Sequence, residues 1–124
     1  MPCPDYLCGL DAAIDVVGGK WKALILWALN EQPRRFGELR RELDGVTERV
    51  LTQQLHELER DGIVHREVFR EVPPKVVYSL TESGRSLDRA LTDLGKWGED
   101  HMEQLSALRS TTIAQRQPIE RRQM

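Results

Sequence analysis

The stretch DGVTERVLTQQLHELERDGIVHREVFREVPPKVVYSLT, residues 44–81, decides the fold. Its first half predicts a helix, because Thr47 offers an N-cap hydroxyl and apolar residues then recur at helical spacing until Gly62. Its second half holds two β-rich runs, IVHREVFR and KVVYSL, which are separated by the four residues EVPP. This pattern predicts a hairpin with a stiff tip directly after the helix.

Further helices are predicted on both sides of this stretch. The periodicity of apolar residues, with Gly18-Gly19 as a break and Thr81 as a cap, gives their limits. The predicted helices span residues 10–17, about 20–30, about 36–43, 48–61 and about 82–109. Residues 110–124 are polar and aperiodic, so we predict one domain over residues 1–109 followed by a disordered tail.

The order of these elements indicates an α+β, mostly helical fold. Two helices joined by a tight turn at Asp44-Gly45 are typical of a helix-turn-helix, and a hairpin directly after the second helix is a wing. We therefore predict a winged helix-turn-helix with a two-stranded β-hairpin wing and a long C-terminal dimerisation helix. A small α+β domain without any DNA role is the alternative that the pattern leaves open.

Composition excludes several classes of protein. The 124 residues contain no run of about 18 apolar residues and no secretory signal, so we expect a cytoplasmic protein with no membrane partner. There is no glycine-rich phosphate loop, no nucleophile-base spacing and no cluster of metal ligands. The sequence thus predicts a protein that is not an enzyme and has no cofactor or metal site. The net charge of −2 argues mildly against DNA binding, although the placement of the basic residues matters more than their sum.

The predicted helix over residues 48–61 has two contrasting sides. Apolar residues form one stripe, which should dock on the core, and the opposite side carries groups that can hydrogen-bond base edges. The N-terminal part of such a helix normally enters the major groove, so position ranks these candidates. The candidate base-reading residues are Arg49, Thr52 and Gln53, followed by His56. The alternative is an ordinary solvated polar face.

Basic residues outside this helix supply further candidate DNA contacts. Arg35 lies just before the predicted third helix, and Arg70 and Lys75 flank the hairpin tip, where they can reach the minor groove or the backbone. Pairing with Glu67 and Glu71 within the hairpin is an equally simple explanation of the wing charges.

The last predicted helix carries an apolar seam. Positions along it alternate by steps of four and three, which favours packing between subunits. The predicted dimer-interface residues are Leu87, Leu91, Leu94, Trp97, Gly98, His101 and Leu105. Packing against the first helix of the same subunit is the alternative, and His101 is expected to be a hydrogen-bonded interface histidine.

Several short motifs together resemble the HxlR-type regulators, winged-helix relatives of the MarR group, over roughly residues 8–98. The motifs are Gly18-Gly19-Lys20-Trp21, Arg35-Phe36-x-Glu38-Leu39, Gly45-Val46-Thr47, Leu51-Thr52-Gln53-Gln54-Leu55, Leu58-x-x-Asp61-Gly62, Pro73-Pro74-Lys75-Val76 and Tyr78-Ser79-Leu80-Thr81-x-x-Gly84. The resemblance implies a homodimer that binds a palindromic operator in double-stranded DNA. Val77 departs from the family, which usually has a glutamate at that position.

The resemblance also draws attention to the cysteines, because several HxlR-type regulators sense oxidants or electrophiles through a thiol. Cys8 lies ten residues before the glycine pair, as the family's sensing cysteine does. A helix dipole favours a thiolate at this place, whereas Asp5 and Asp11 oppose it. Cys8 can equally be an unreactive interface thiol, and Cys3 either a resolving partner or a residue of a frayed terminus.

The sequence therefore predicts a sequence-specific DNA-binding transcriptional regulator that acts as a homodimer, with repression the favoured sign and Cys8 as the candidate sensor. One alternative is a regulator that responds to a small molecule without thiol sensing. The other is a winged-helix protein-interaction module that does not bind DNA.

Overall fold

The computed structural model describes residues 5–123, with side chains described for residues 5–110. Its elements are α1 (Gly9–Val17), α2 (Trp21–Glu31), β1 (Arg34–Arg35), α3 (Phe36–Glu42), α4 (Glu48–Arg60), β2 (Val64–Phe69), β3 (Lys75–Leu80) and α5 (Glu82–Gln123). The chain divides into two compact units, Met1–Arg89 and Ala90–Met124. The first unit contains the winged helix-turn-helix and the start of α5, and the second contains the rest of α5.

The helix-turn-helix consists of α3, a tight turn and α4. Gly45 adopts a φ of +91° in this turn, a left-handed conformation that glycine accepts without a steric cost. The Thr47 Oγ1 then accepts a 3.1 Å hydrogen bond from the backbone N–H of Val50, which confirms Thr47 as the N-cap of α4. The turn and its cap together fix where α4 begins relative to α3.

The wing belongs to a three-stranded antiparallel sheet in the order β1-β3-β2. β2 and β3 form the predicted hairpin, with Val64 opposite Leu80 at its base and Phe69 opposite Lys75 at its tip. The two-stranded wing is thus confirmed, and β1 adds a short third strand to the sheet along β3. A strand of two residues shows no alternation of polar and apolar residues, so its pairing is invisible in the sequence.

The core of the first unit lies between α2, α3, α4 and the base of the sheet. Its largest fully buried side chains are Ile25, Leu26, Leu39, Leu51, Leu55 and Leu58. The apolar stripe predicted for α4 is confirmed by the last three of these. In α2 the apolar residues that recur at helical spacing are Trp21, Leu24, Ile25, Ala28 and Leu29. The core-facing stripe that this spacing predicts is wrong in part, since Leu24 is exposed and Leu26 is fully buried. An almost continuously apolar helix does not reveal by its periodicity which side faces the core.

The start of α5 is fastened to the turn that follows α4. Gly62 adopts a φ of +74° there and ends α4. The Thr81 Oγ1 lies 2.6 Å from the carbonyl oxygen of Gly62 and accepts a 3.0 Å hydrogen bond from the Gly84 N–H, which confirms Thr81 as the predicted cap. These bonds join the turn after α4 to the junction of β3 and α5.

The last helix is longer than the sequence indicated. α5 runs to Gln123, whereas we predicted its end near residue 109 and a disordered tail over 110–124. Gln and Arg, which each occur three times in this segment, favour helix, and extending an existing helix costs little compared with starting one. Within the described residues, no helix is long and apolar enough to cross a membrane.

Candidate DNA-binding interface

One exposed side of α4 carries the four residues predicted to read bases. Arg49, Thr52, Gln53 and His56 are all exposed and follow helical spacing, opposite the buried stripe of the same helix. Among the described residues, neither Arg49 nor His56 has a hydrogen bond or an ion pair with another side chain. Their donor groups are therefore available to a partner outside the chain.

Thr52 and Gln53 are held by bonds within α4. The Thr52 hydroxyl donates to the carbonyl oxygen of Glu48 at 2.8 Å, so its oxygen can still accept a hydrogen bond and its methyl group stays free. The Gln53 Nε2 donates to Glu57 Oε2 at 2.7 Å. This leaves the second Nε2 hydrogen and the Oε1 of Gln53 without a partner among the described residues.

The sequence did not reveal that Glu57 connects α4 to a buried cation. Glu57 Oε1 lies 2.5 Å from the Nζ of Lys22, whose side chain is only 7% exposed. The hydrogen bond from Gln53 and the contact with Lys22 lower the pKa of Glu57 from its usual 4.5. The signal for this pair was the position of Lys22. It lies three residues before Ile25 and four before Leu26, which are both buried, so it is on the core side of α2.

We expect Glu57 to add to the pH dependence of stability. Since its pKa is lower in the folded protein, its contribution is present above about pH 4.5 and is lost as the pH falls further. Glu57→Gln should therefore be less stable than wild type at pH 7, because Lys22 loses its counter-charge, and the difference should narrow between pH 5 and 3. Urea unfolding across this range measures the effect, with Glu59→Gln as the control on the same helix. A difference that stays constant with pH would contradict it.

Other cations near α4 are already paired within the chain. The Arg34 Nη2 lies 3.1 Å from Glu42 Oε1, the Arg40 Nη1 lies 3.4 Å from Glu48 Oε2, and the Arg60 Nε lies 3.1 Å from Asp61 Oδ1. The pairing with Asp61 also raises the pKa of Arg60. The unpaired positive charge on this side of the molecule is thus smaller than a count of arginines indicates.

The remaining predicted DNA contacts come from the sheet. Arg35 is exposed at the junction of β1 and α3, where its backbone N–H, and not its side chain, bonds to Glu38 Oε1 at 2.7 Å. Arg70 is exposed at the hairpin tip, and the Lys75 Nζ lies 5.2 Å from the ring centroid of Phe69. Among the described residues, neither Arg70 nor Lys75 forms an ion pair with Glu67 or Glu71, so the wing charges are not paired within the hairpin.

The predicted seam of α5 is partly exposed within one chain. Leu94 and Trp97 are 63% and 54% exposed, whereas Leu87, Leu91, Gly98, His101 and Leu105 are half-buried. The His101 ring stacks on Trp97 with centroids 4.3 Å apart, and its Nδ1 lies 2.8 Å from the Trp97 carbonyl oxygen. His101 therefore has a hydrogen-bond partner within α5, and its place in a dimer interface stays a prediction.

The candidate sensor thiol lies at the start of α1. Cys8 is a free, exposed cysteine in the N-cap position, and its carbonyl oxygen accepts the Ala12 N–H at 3.2 Å. No residue of α1 is buried, and Leu10 and Ile14 are more than half exposed. Cys3 lies outside the described residues.

A model of the family described as HxlR-like helix-turn-helix matches residues 16–120. The chain belongs to the HxlR family. The HTH-type transcriptional regulator YybR of Bacillus subtilis (strain 168) is 46% identical over 110 residues, which is 89% of this chain and 88% of that protein.

Solved structures extend this comparison. The redox regulator HypR in its reduced form is 46% identical, with a TM-score of 0.77 over 81% of this chain and 99% of that chain. The reduced form of YodB from B. subtilis is 33% identical, with a TM-score of 0.67 over 80% of this chain and 93% of that chain. These likenesses confirm the winged-helix fold.

Membership of the HxlR family settles the class of function. The chain is a helix-turn-helix transcriptional regulator, not an enzyme. Among the described residues, no three His, Cys, Asp or Glu side chains come together as metal ligands.

Proposed function

We propose that this HxlR-family regulator is a repressor that binds a palindromic operator in double-stranded DNA as a homodimer. The exposed side of α4 carries this proposal, because it follows the helix-turn-helix turn and its Arg49 and His56 have no partner among the described residues. An ordinary solvated face does not require its arginine to be left without a partner. An unpaired arginine near the start of α4, the second helix of the helix-turn-helix, favours contact with DNA.

Each side chain of this face has a role that its chemistry suits. Arg49 can donate two hydrogen bonds to guanine, Gln53 can pair with adenine, and the Thr52 methyl can contact thymine. The exposed Arg35 and Arg70, together with the half-buried Lys75, would bind phosphates or the minor groove and hold the helix in register. Their small number makes binding by a single subunit weak.

Exposed apolar residues support assembly into a dimer. Leu10 and Ile14 on α1 and Leu94 and Trp97 on α5 are exposed in the single chain. A monomer would leave these apolar side chains in contact with water, whereas a dimer can bury them. A two-fold dimer presents two copies of α4 to half-sites about 34 Å apart. Together the two subunits would provide the affinity that one thin basic face lacks.

Titration of the duplex upstream of the protein's own gene tests the proposal. We expect saturable binding that weakens steeply as salt rises, because contacts to phosphates release counterions. An unrelated duplex of the same length is the control. Absence of binding at low salt would contradict the proposal and favour a protein-interaction module.

Thiol sensing by Cys8 is the regulatory part of the proposal. HypR is a redox regulator, and YodB has also been solved after treatment with diamide. Cys8 is free and exposed on a helix without buried residues, so a change at its sulfur meets little resistance from packing. We propose that its oxidation or alkylation shifts α1 at the subunit interface and changes the separation of the two α4 helices.

Replacing the thiol should abolish this response. We expect diamide to change the DNA affinity of the wild type by at least about tenfold, since two half-sites must match one spacing. Cys8→Ser should bind DNA equally with and without diamide, whereas Cys3→Ser, which keeps the Cys8 thiol, should respond as the wild type does. Fluorescence anisotropy with a labelled duplex measures all three proteins. A full response to diamide in Cys8→Ser would contradict the sensing proposal.

A further inference from the structure

A chain of three polar groups leads from the core of the first unit to the exposed side of α4. The buried ammonium of Lys22, on α2, lies 2.5 Å from Glu57 Oε1. The other oxygen of the same carboxylate, Oε2, accepts the Gln53 Nε2 hydrogen bond at 2.7 Å. Both oxygens of Glu57 are therefore committed, one to the core and one to a base-reading residue.

We propose that Lys22 and Glu57 are positioning residues that fix the side-chain amide of Gln53, so that Gln53 specifies adenine. This inference rests on the proposed DNA-binding function and deepens it. Glu57 is ionised at neutral pH, and a carboxylate only accepts hydrogen bonds, so the amide must turn its nitrogen toward Glu57. The Oε1 and the second Nε2 hydrogen of Gln53 remain for a ligand.

The fixed amide discriminates between purines. Adenine presents an acceptor at N7 and a donor at N6 in the major groove, which match one free N–H and one free oxygen. Guanine presents two acceptors, N7 and O6. An amide that has given one of its hydrogens to Glu57 cannot satisfy both.

A hydrogen bond between residues four apart on a helix is common by itself and often adds only slight stability. The ion pair with Lys22 separates this case from the common one. The Lys22 side chain is 7% exposed and that of Glu57 is 24% exposed, so the carboxylate is anchored from beneath and cannot follow a moving glutamine. A freely moving glutamate would let the amide rotate and accept either purine.

Selection from a pool of randomised duplexes, followed by sequencing, tests the inference with the full-length protein. Gln53→Ala identifies the base pair that Gln53 reads, as the position where the preference of the wild type disappears. The decisive variant is Lys22→Met with Glu57→Ala, which releases the amide without leaving a buried ammonium unpaired. Glu59→Ala is the matched control, because it removes one exposed carboxylate from the same helix.

We expect the wild type to prefer A·T over G·C at that position by about 5- to 150-fold, as good bidentate contacts do. The double variant should lower this preference to about twofold at that position alone, and Glu59→Ala should retain it. A purely structural role for the pair would weaken binding to all duplexes alike and leave the preference unchanged.

The outcomes separate this inference from the proposed function. If the wild type enriches no sequence, the proposed function itself fails. If it enriches a site and the double variant keeps the preference that Gln53→Ala loses, the positioning role is overturned. A Gln53 position that prefers any pair other than A·T, or a Gln53→Ala variant that loses no preference, overturns it as well.

Discussion

Gly84→Ala should unfold the protein at a much lower temperature than the wild type, although alanine favours helix over glycine. A methyl group at Gly84 would overlap the backbone carbonyl oxygen of Ile63 and would lie 3.3 Å from Leu80 Cδ2. Backbone cannot move aside as a flexible side chain can, so the start of α5 must shift. The shift would break the bonds of Thr81 to the turn after α4. We expect a loss of about 3 kcal/mol, which lowers Tm by about 10 °C or more.

Gly95→Ala is the control for this prediction. It lies in the same helix, and an added methyl group would meet no atom within 4 Å. We expect it to be stabilised by about 0.5–1 kcal/mol through helix propensity alone. Thermal unfolding at one fixed protein concentration compares the variants, because assembly makes Tm depend on concentration. Equal Tm values for Gly84→Ala and the wild type would contradict the close packing described for α5.

Leu94→Glu should lower DNA affinity by about 100-fold or more without touching the recognition helix. Leu94 is 63% exposed within the proposed seam, and a charge there would be buried without a partner in a dimer. A monomer reaches one half-site at a time and so loses the gain of simultaneous binding. Sedimentation gives the oligomeric state, and anisotropy titration of the same samples gives the affinity.

Lys96→Gln is the matched variant for the seam. It changes the net charge by the same amount, and Lys96 lies about 200° around the helix from Leu94 at 100° per residue. We expect it to remain dimeric with nearly unchanged DNA affinity. A dimeric Leu94→Glu, or a monomeric one that binds DNA as the wild type does, would rule out this seam.

The parts of the fold that depend on local patterns could be predicted from the sequence. α4 has a strong helical period and a threonine cap, and the hairpin has two β-rich runs around a proline pair, so both lie where we predicted them. β1 could not be predicted, since two residues carry no period and its partner Tyr78 lies far along the chain. The prediction of the buried side of α2 failed for a related reason. Nearly all residues of α2 are apolar, so their spacing does not identify the side that faces the core.

The candidate site shows the same division. Spacing on α4 was enough to identify Arg49, Thr52, Gln53 and His56 as one exposed face. The pairing of Lys22 with Glu57 was missed, because it joins residues that are distant in sequence. The structure also shows what the acidic residues do near α4. Their carboxylates pair with nearby cations, so few of these cations remain free.

The most direct test of the central claim is the affinity of Arg49→Ala for the duplex that the wild type selects. We expect a loss of about 5- to 150-fold, as for removal of a bidentate contact to guanine, and a much smaller loss on an unrelated duplex. Arg60→Ala, which removes an equal charge already paired with Asp61, should bind nearly as the wild type does. Unchanged affinity in Arg49→Ala, or an equal loss in Arg60→Ala, would contradict the reading of DNA by α4.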